Sequence, residues 1–252
     1  MEEKLKYPTE QIDLPSKGLL YPESSLLSKG VIEMKYMTAK EEDILTNVNF
    51  IRQGVVIDKL LQSMIVTPID YNELLNGDKN AILIAACILG YGKDYEFMIT
   101  NPETGEGEKA TADLTQIETK FLDESLFTRG KNEFNFTLPF SKITVTFKLL
   151  THGDEKKIDK EIEGLKKINP QSVTTITTRL KYLITSINGD REIATIREFV
   201  DNMLSRDVRA LRDQVNKITP DVDLKINAIK ENGDVVEGIE LPIGVSFFWP
   251  ES

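Results

Sequence analysis

Residues 31–45, VIEMKYMTAKEEDIL, compress a strand, a stop and a helix start into one short stretch. Val31, Glu33, Lys35 and Met37 alternate with Ile32, Met34 and Tyr36, the period of a half-buried strand. Thr38, with Glu41 three residues on, has the form of a capping box. Its hydroxyl takes the amide of the third helical residue, and the carboxylate reaches back to the Thr38 amide. Glu41, Glu42 and Asp43 fall in the first turn, where unpaired amides favour negative charge. The strand is thus expected to hand directly to a helix, which points to an α+β fold.

The same device returns in residues 143–158, ITVTFKLLTHGDEKKI. Ile143, Val145, Phe147 and Leu149 form one strand face, and Thr151 precedes Asp154 and Glu155. Further echoes follow in the same order. KLLQSMI at 59–65 matches KYLITSI at 181–187, ELLNGDKNAIL at 73–83 matches NMLSRDVRAL at 202–211 with Asp78 on Asp207, and NPETGE at 101–106 matches IKENGD at 229–234. The order suggests an internal duplication, two related strand–helices–β-ribbon halves. Chance likeness between amphipathic helices is the alternative. The boundaries read as an extended N-terminal arm at 1–30, a first half at 31–130 with its ribbon at 95–114, and a second half at 131–252.

Within the first half, apolar positions recur at three and four from Ile44 to Met64 with a break at Gly54, which predicts two helices ending at Thr67-Pro68. A third runs from about 79 to 89, apolar all round and therefore a core helix, with Asp78 placed to cap it. Residues 95–99 and 111–114 bracket NPETGEGEK as a ribbon, 115–127 read as a short helix, and 133–149 as a hairpin bent near Pro139. Helices near 153–167, 173–187 and 193–217 complete the second half, the last with Arg206, Arg209 and Arg212 on one side as a solvated face.

A net charge of −10 over 252 residues argues against sequence-independent phosphate binding, so no nucleic-acid partner is expected. No apolar run approaches 18 residues and Met1-Glu-Glu-Lys lacks the shape of a signal peptide, so no membrane partner is expected either. The single cysteine, Cys87, excludes an internal disulfide and reads as a small buried hydrophobe. His152 is the one histidine, follows a strand end and has no nucleophile motif beside it, so it reads as a turn residue. Asp221 and Asp223 in TPDVD raise a cation-dependent enzyme as a minority reading, but further acids at ligand spacing are missing. No catalytic, cofactor or metal residues are assigned.

Both ends carry apolar surface. The arm holds Leu14, Pro15, Leu19, Leu20, Tyr21, Leu26 and Leu27 without a regular period, and must lie on its own domain or on a neighbouring subunit. The C-terminus, IELPIGVSFFWPES, alternates Ile239, Leu241, Ile243 and Val245 and ends on Phe247, Phe248 and Trp249. It reads as a terminal strand, an anchor for a partner, or both.

Taken in order, LPSKGLLYP in the arm, the MTAKEEDIL joint, DKLLQSMI, LLNGDKNAIL with its YG, and the closing FFWP resemble the baseplate hub proteins of T4-like contractile-tailed bacteriophages, including the related hub-assembly group. The likeness is strongest over residues 12–120 and the last dozen, and thin over 125–200. Members with this pattern often carry C-P-x-C-G in the ribbon, where this chain has Asn101, Pro102, Glu103, Thr104 and Gly105. Zinc therefore does not carry over. The resemblance implies a non-enzymatic protein of a viral tail, a baseplate hub component of the virion, assembled in the host cytoplasm with other phage tail and baseplate proteins into a hetero-oligomer. The expected docking residues are Leu14, Pro15, Leu19, Leu20 and Tyr21 in the arm and Phe247, Phe248 and Trp249 in the tail. The alternative is a soluble tail or baseplate assembly chaperone absent from the mature virion.

Overall fold

A computed structural model of the chain describes residues 8–100, 105–169, 174–241 and 245–248. The first strand, β1 (Thr9–Asp13), pairs antiparallel with β2 (Val31–Lys35), from Thr9 opposite Lys35 to Asp13 opposite Val31. From Pro8 onward, the segment expected to be an extended arm is therefore a folded hairpin with a long, self-packed loop. The Leu14 amide bonds the Gly30 carbonyl at 2.8 Å, and Gly18 and Gly30, both at φ 74°, let two backbone passes touch. A Cβ on Gly18 would lie 2.4 Å from the Ser28 carbonyl oxygen, so only glycine fits.

The joint after β2 forms as the residues dictate. Lys35 bonds Glu41 at 2.8 Å, Glu41 bonds the Thr38 amide at 3.1 Å, and α1 (Ala39–Leu45) begins there. Next come α2 (Val48–Arg52) and α3 (Val56–Met64), so the span expected to hold two helices holds three. Asn47 makes the extra break by turning its side chain onto the amides of Asn49 and Phe50. Ile65 then bridges back to Met34.

Helix α4 (Asn76–Tyr91) is the buried apolar helix expected, but Asp78 lies inside its first turn rather than capping it. The ribbon is β3 (Asp94–Thr100) with β4 (Gly107–Asp113); between the strands Gly105 takes φ 74°, and residues 101–104 lie outside the described residues. Residues 115–127 are not a helix. Two 3-10 turns, Leu114–Gln116 and Glu124–Leu126, stand there because Asp113 and Asp123 bond the amides two residues on.

The hairpin of β5 (Phe134–Thr137) and β6 (Thr144–Phe147) leads into α5 (His152–Ile168) through a second capping box, with Lys148 bonding Asp154 at 2.7 Å. Helix α6 (Thr175–Leu183) passes into β7 (Ile184–Ile187), which pairs with β6, so the expected helix is shorter by one strand. The long helix expected over 193–217 is two, α7 (Ile193–Asp201) and α8 (Ser205–Ile218), parted where Leu204 is extended at ψ 134°. The C-terminal hairpin, β8 (Lys225–Lys230) with β9 (Val235–Glu240), does not stand apart. Thr111 of β4 pairs with Ile229 of β8, merging the two ribbons into one sheet of order β3-β4-β8-β9. The alternation seen in the C-terminal sequence ends at Glu240; Val245–Phe248 is a 3-10 turn, and Ile243 lies outside the described residues.

One hydrophobic core runs through both halves, from Leu14, Leu27 and Met34 through Ile82 and Ala86 to Phe147, Leu211 and Phe247. The contact between halves is close. The His152 amide bonds the Leu74 carbonyl at 2.7 Å, and Gly77 meets Pro220 so tightly that a Cβ would lie 1.9 Å from its carbonyl oxygen. Among the described residues no helix is long and apolar enough to cross a membrane.

Candidate functional site

The polar clusters lie where the two halves meet. Asp58 on α3, Tyr71 in the 3-10 turn Tyr71–Glu73, Lys79 on α4 and His152 at the start of α5 form one of them. Lys79 Nζ donates to Asp58 Oδ1 at 2.7 Å and lies 3.3 Å from His152 Nδ1, while His152 Nε2 lies 3.0 Å from Asp58 Oδ2 and the Tyr71 hydroxyl donates to Asp58 Oδ1 at 3.1 Å. Because the ammonium can only donate, Nδ1 is the accepting nitrogen in the contact with Lys79, whereas Nε2, though near Asp58, makes no aligned hydrogen bond. Burial works against the Asp58 charge, but the His152 ring and the Lys79 ammonium beside it prevail and hold its carboxyl well below the usual range. The same burial, beside Asp58, pushes the Tyr71 hydroxyl up.

This set has the residue types of acid–base chemistry without its geometry. A general base needs a nitrogen free to face a substrate proton. Nδ1 of His152 faces the Lys79 ammonium, Nε2 lies close to Asp58 without an aligned hydrogen bond, and the residue is 5% exposed with the Tyr71 ring edge-on at 4.8 Å, so neither nitrogen opens to solvent. The cluster braces α5 against α3 and α4. His152, expected in a turn, is in fact the first residue of a helix and the second half's contribution to this brace.

A second cluster surrounds Asp78, which is fully buried. It accepts from the Ser16 amide at 2.9 Å, the Ser16 hydroxyl at 2.7 Å and the Tyr21 hydroxyl at 2.6 Å; Tyr21 in turn accepts the Leu75 amide at 2.9 Å. Burial raises the Asp78 carboxyl and outweighs these bonds, with the charge of Asp221 adding to the rise. Asp221 itself takes the Asn80 side chain at 3.0 Å and its neighbour's Val222 amide at 2.9 Å, so its oxygens serve as a loop brace. Among the described residues no group of three or more His, Cys, Asp or Glu side chains is placed to hold a metal ion.

The expected docking residues face inward. Leu14 is 2% exposed, Leu20 3% and Tyr21 4%; Pro15 is buried with them and Leu19 is half-buried. Phe247 and Phe248 are buried as well, Phe247 packing on Tyr95 at 4.9 Å between ring centroids and its carbonyl lying 3.9 Å from Cys87 Sγ. Trp249 lies outside the described residues. Leu14, Pro15, Leu20, Tyr21, Phe247 and Phe248 are thus packed within this chain's own fold. Cys87 is buried as expected, and burial pushes its thiol up to about 12.

Sequence reasoning missed Asp58, Tyr71, Lys79 and Ser16 because their meeting depends on packing between elements far apart in the chain. Only Asp78 gave a signal, through its match with Asp207. A family model described as T4 bacteriophage base plate protein matches residues 11–249. No curated protein and no solved structure gives a significant match.

Proposed function

The chain belongs to the T4 bacteriophage base plate protein family, and from that premise we propose that it is a non-enzymatic component of the baseplate hub of a contractile phage tail, acting by docking to neighbouring tail proteins. The match over residues 11–249 carries this reading. The geometry supports it in kind. The acid–base residues are spent on bracing one part of the fold against another, which suits a rigid spacer.

We infer also that the two halves descend from one duplicated unit. Each has a strand pair, a Lys-to-acid bridge across a capping threonine (Lys35 to Glu41, Lys148 to Asp154), and a buried aspartate at the third position of a later helix. Docking through Leu14, Leu20, Tyr21, Phe247 or Phe248 would require those side chains to leave the core, at a cost of about 1.5–3 kcal/mol each. Docking surfaces are better sought on the exposed faces.

Mass spectrometry of purified virions tests the hub reading. The expected result is this chain at a fixed copy number in the tail. Its absence from virions that cannot be built without it would overturn the hub reading in favour of an assembly chaperone.

A further inference from the structure

With Asp78 and Asp207 as the common register, the face of α4 formed by Leu83, Ala86, Cys87 and Gly90 corresponds to the face of α8 formed by Arg212, Val215, Asn216 and Thr219. On α4 that face is closed. Leu83, Ala86 and Cys87 are buried, Cys87 meets the C-terminal turn, and Gly90 lies so near Met37 that a Cβ would come within 2.7 Å of its Cε. On α8 the face is open. With α6 it walls a cavity of about 440 Å³ that continues into a neighbouring one of about 610 Å³.

The groove has an apolar floor and a charged rim. Leu180 and Val215 line it, and Ile176, 53% exposed, stands at its wall. Arg179 is bonded to Glu155, and Asp201 to Lys181 at 2.7 Å. Arg209 and Arg212 have no ion pair among the described residues, and with Arg179 and Asp201 each paired, the unpaired charges on the wall are these two arginines and Asp213, in a chain of net charge −10. Where α4 has leucine, cysteine and glycine, α8 has arginine, asparagine and threonine. These are residues that tolerate water when the groove is empty and offer donors when it is filled.

We propose that the α6–α8 groove receives an apolar segment carrying carboxylates from a neighbouring protein of the same assembly. The first half closes the matching face with its own apolar side chains; the second leaves it for a partner whose acids meet Arg209 and Arg212. This rests on the base plate reading and names the chemistry of one partner.

The test places the photoreactive residue p-benzoylphenylalanine at Asn216, which is exposed and lines both cavities, in the full chain supplied during phage infection. After irradiation, baseplate intermediates are sedimented and the cross-linked peptide is sequenced. The expected product is a segment of a different tail protein with spaced apolar residues and at least two carboxylates. Its yield should fall at least tenfold when Arg209→Glu and Arg212→Glu are combined, with an unchanged melting temperature, and should hold with Arg206→Glu, one turn outside the groove. A cross-link to a second copy of this chain, one to a basic segment, none at all while the chain sediments with the intermediates, or a yield indifferent to charge reversal would overturn the groove and leave the base plate reading standing. A chain found with no baseplate intermediate and in no virion overturns both.

Discussion

In the first half, Asp78 stands third in α4 and binds the amide and hydroxyl of Ser16 and the hydroxyl of Tyr21; in the second, Asp207 stands third in α8 and binds the amides of Phe140 at 2.9 Å and Ser141 at 3.0 Å. Both tie a helix start to a Leu-Pro turn. The turns are Leu14-Pro15-Ser16-Lys17 and Leu138-Pro139-Phe140-Ser141-Lys142, and the lysine of each takes a positive φ, 50° and 60°. The difference is depth. Asp78 lies at the centre of the fold, beneath the hairpin loop and beside Asp221, and its carboxyl is raised. Asp207 is covered by its own turn but close to the surface; burial opposes its charge, yet the amides of Phe140 and Ser141, with the charge of Lys142 behind them, hold it below the usual range. One device thus serves as an internal rivet in one half and an outer clasp in the other.

Breaking both at once should show the contrast. Asp78→Ala strands the Ser16 amide and the Tyr21 hydroxyl without water, for a loss of about 3 kcal/mol or more in urea unfolding, whereas Asp207→Ala leaves two amides that solvent can reach and should cost about 1–2 kcal/mol. Equal losses would remove the distinction in depth. The residues one place earlier differ in the same sense. Gly77→Ala drives a methyl into the Pro220 carbonyl and should cost about 2–3 kcal/mol despite its better helix propensity, while Arg206→Ala, which loses only a stacking contact 5.0 Å from the Phe140 ring, should stay within about 0.5 kcal/mol.

Tyr21→Phe takes the bridge between Asp78 and the Leu75 amide from the first half alone, and a loss of about 1–2 kcal/mol in the same measurement is expected. Smallest and most diagnostic is the pH dependence. A lowered carboxyl stabilises above the ordinary range and loses that contribution as pH falls through its folded value. Asp207→Asn should therefore flatten the decline in stability from about pH 5 to about pH 3. A raised carboxyl contributes most below the ordinary range and loses that contribution as pH rises through its folded value. Asp78→Asn should therefore flatten the opposite limb, above about pH 4. Shifts of the same sign in both variants would contradict the reading.

Local patterns were legible where the physics is local. Both capping boxes, the buried helix α4, the hairpin through Pro139 and the ribbon strands follow from residues within a few positions of one another. Letter matching between the halves was less reliable. It set Ile65 on Ile187, but Ile65 bridges to Met34 and Ile184, just past a register shift, pairs with Phe147, so under the duplication inferred above the strand partners set Ile65 on Ile184. Identical letters on amphipathic helices align at the wrong turn as readily as at the right one, whereas strand pairing ties each residue to a named partner.

The sequence alone determined the α+β class, the strand-to-helix joints and the family, because periodicity and capping act over a few residues and ordered motifs survive in the letters. It left open whether the apolar ends cover their own core or a neighbour's. Only the tertiary structure decided that the hairpin loop and the C-terminal turn are buried in the chain's own core, that the two ribbons merge at β4 and β8, and that Asp58, Lys79 and His152 meet. The physical reason is that burial and long-range pairing depend on which surfaces are brought together by packing, and an apolar side chain gives up the same free energy to any surface that removes it from water.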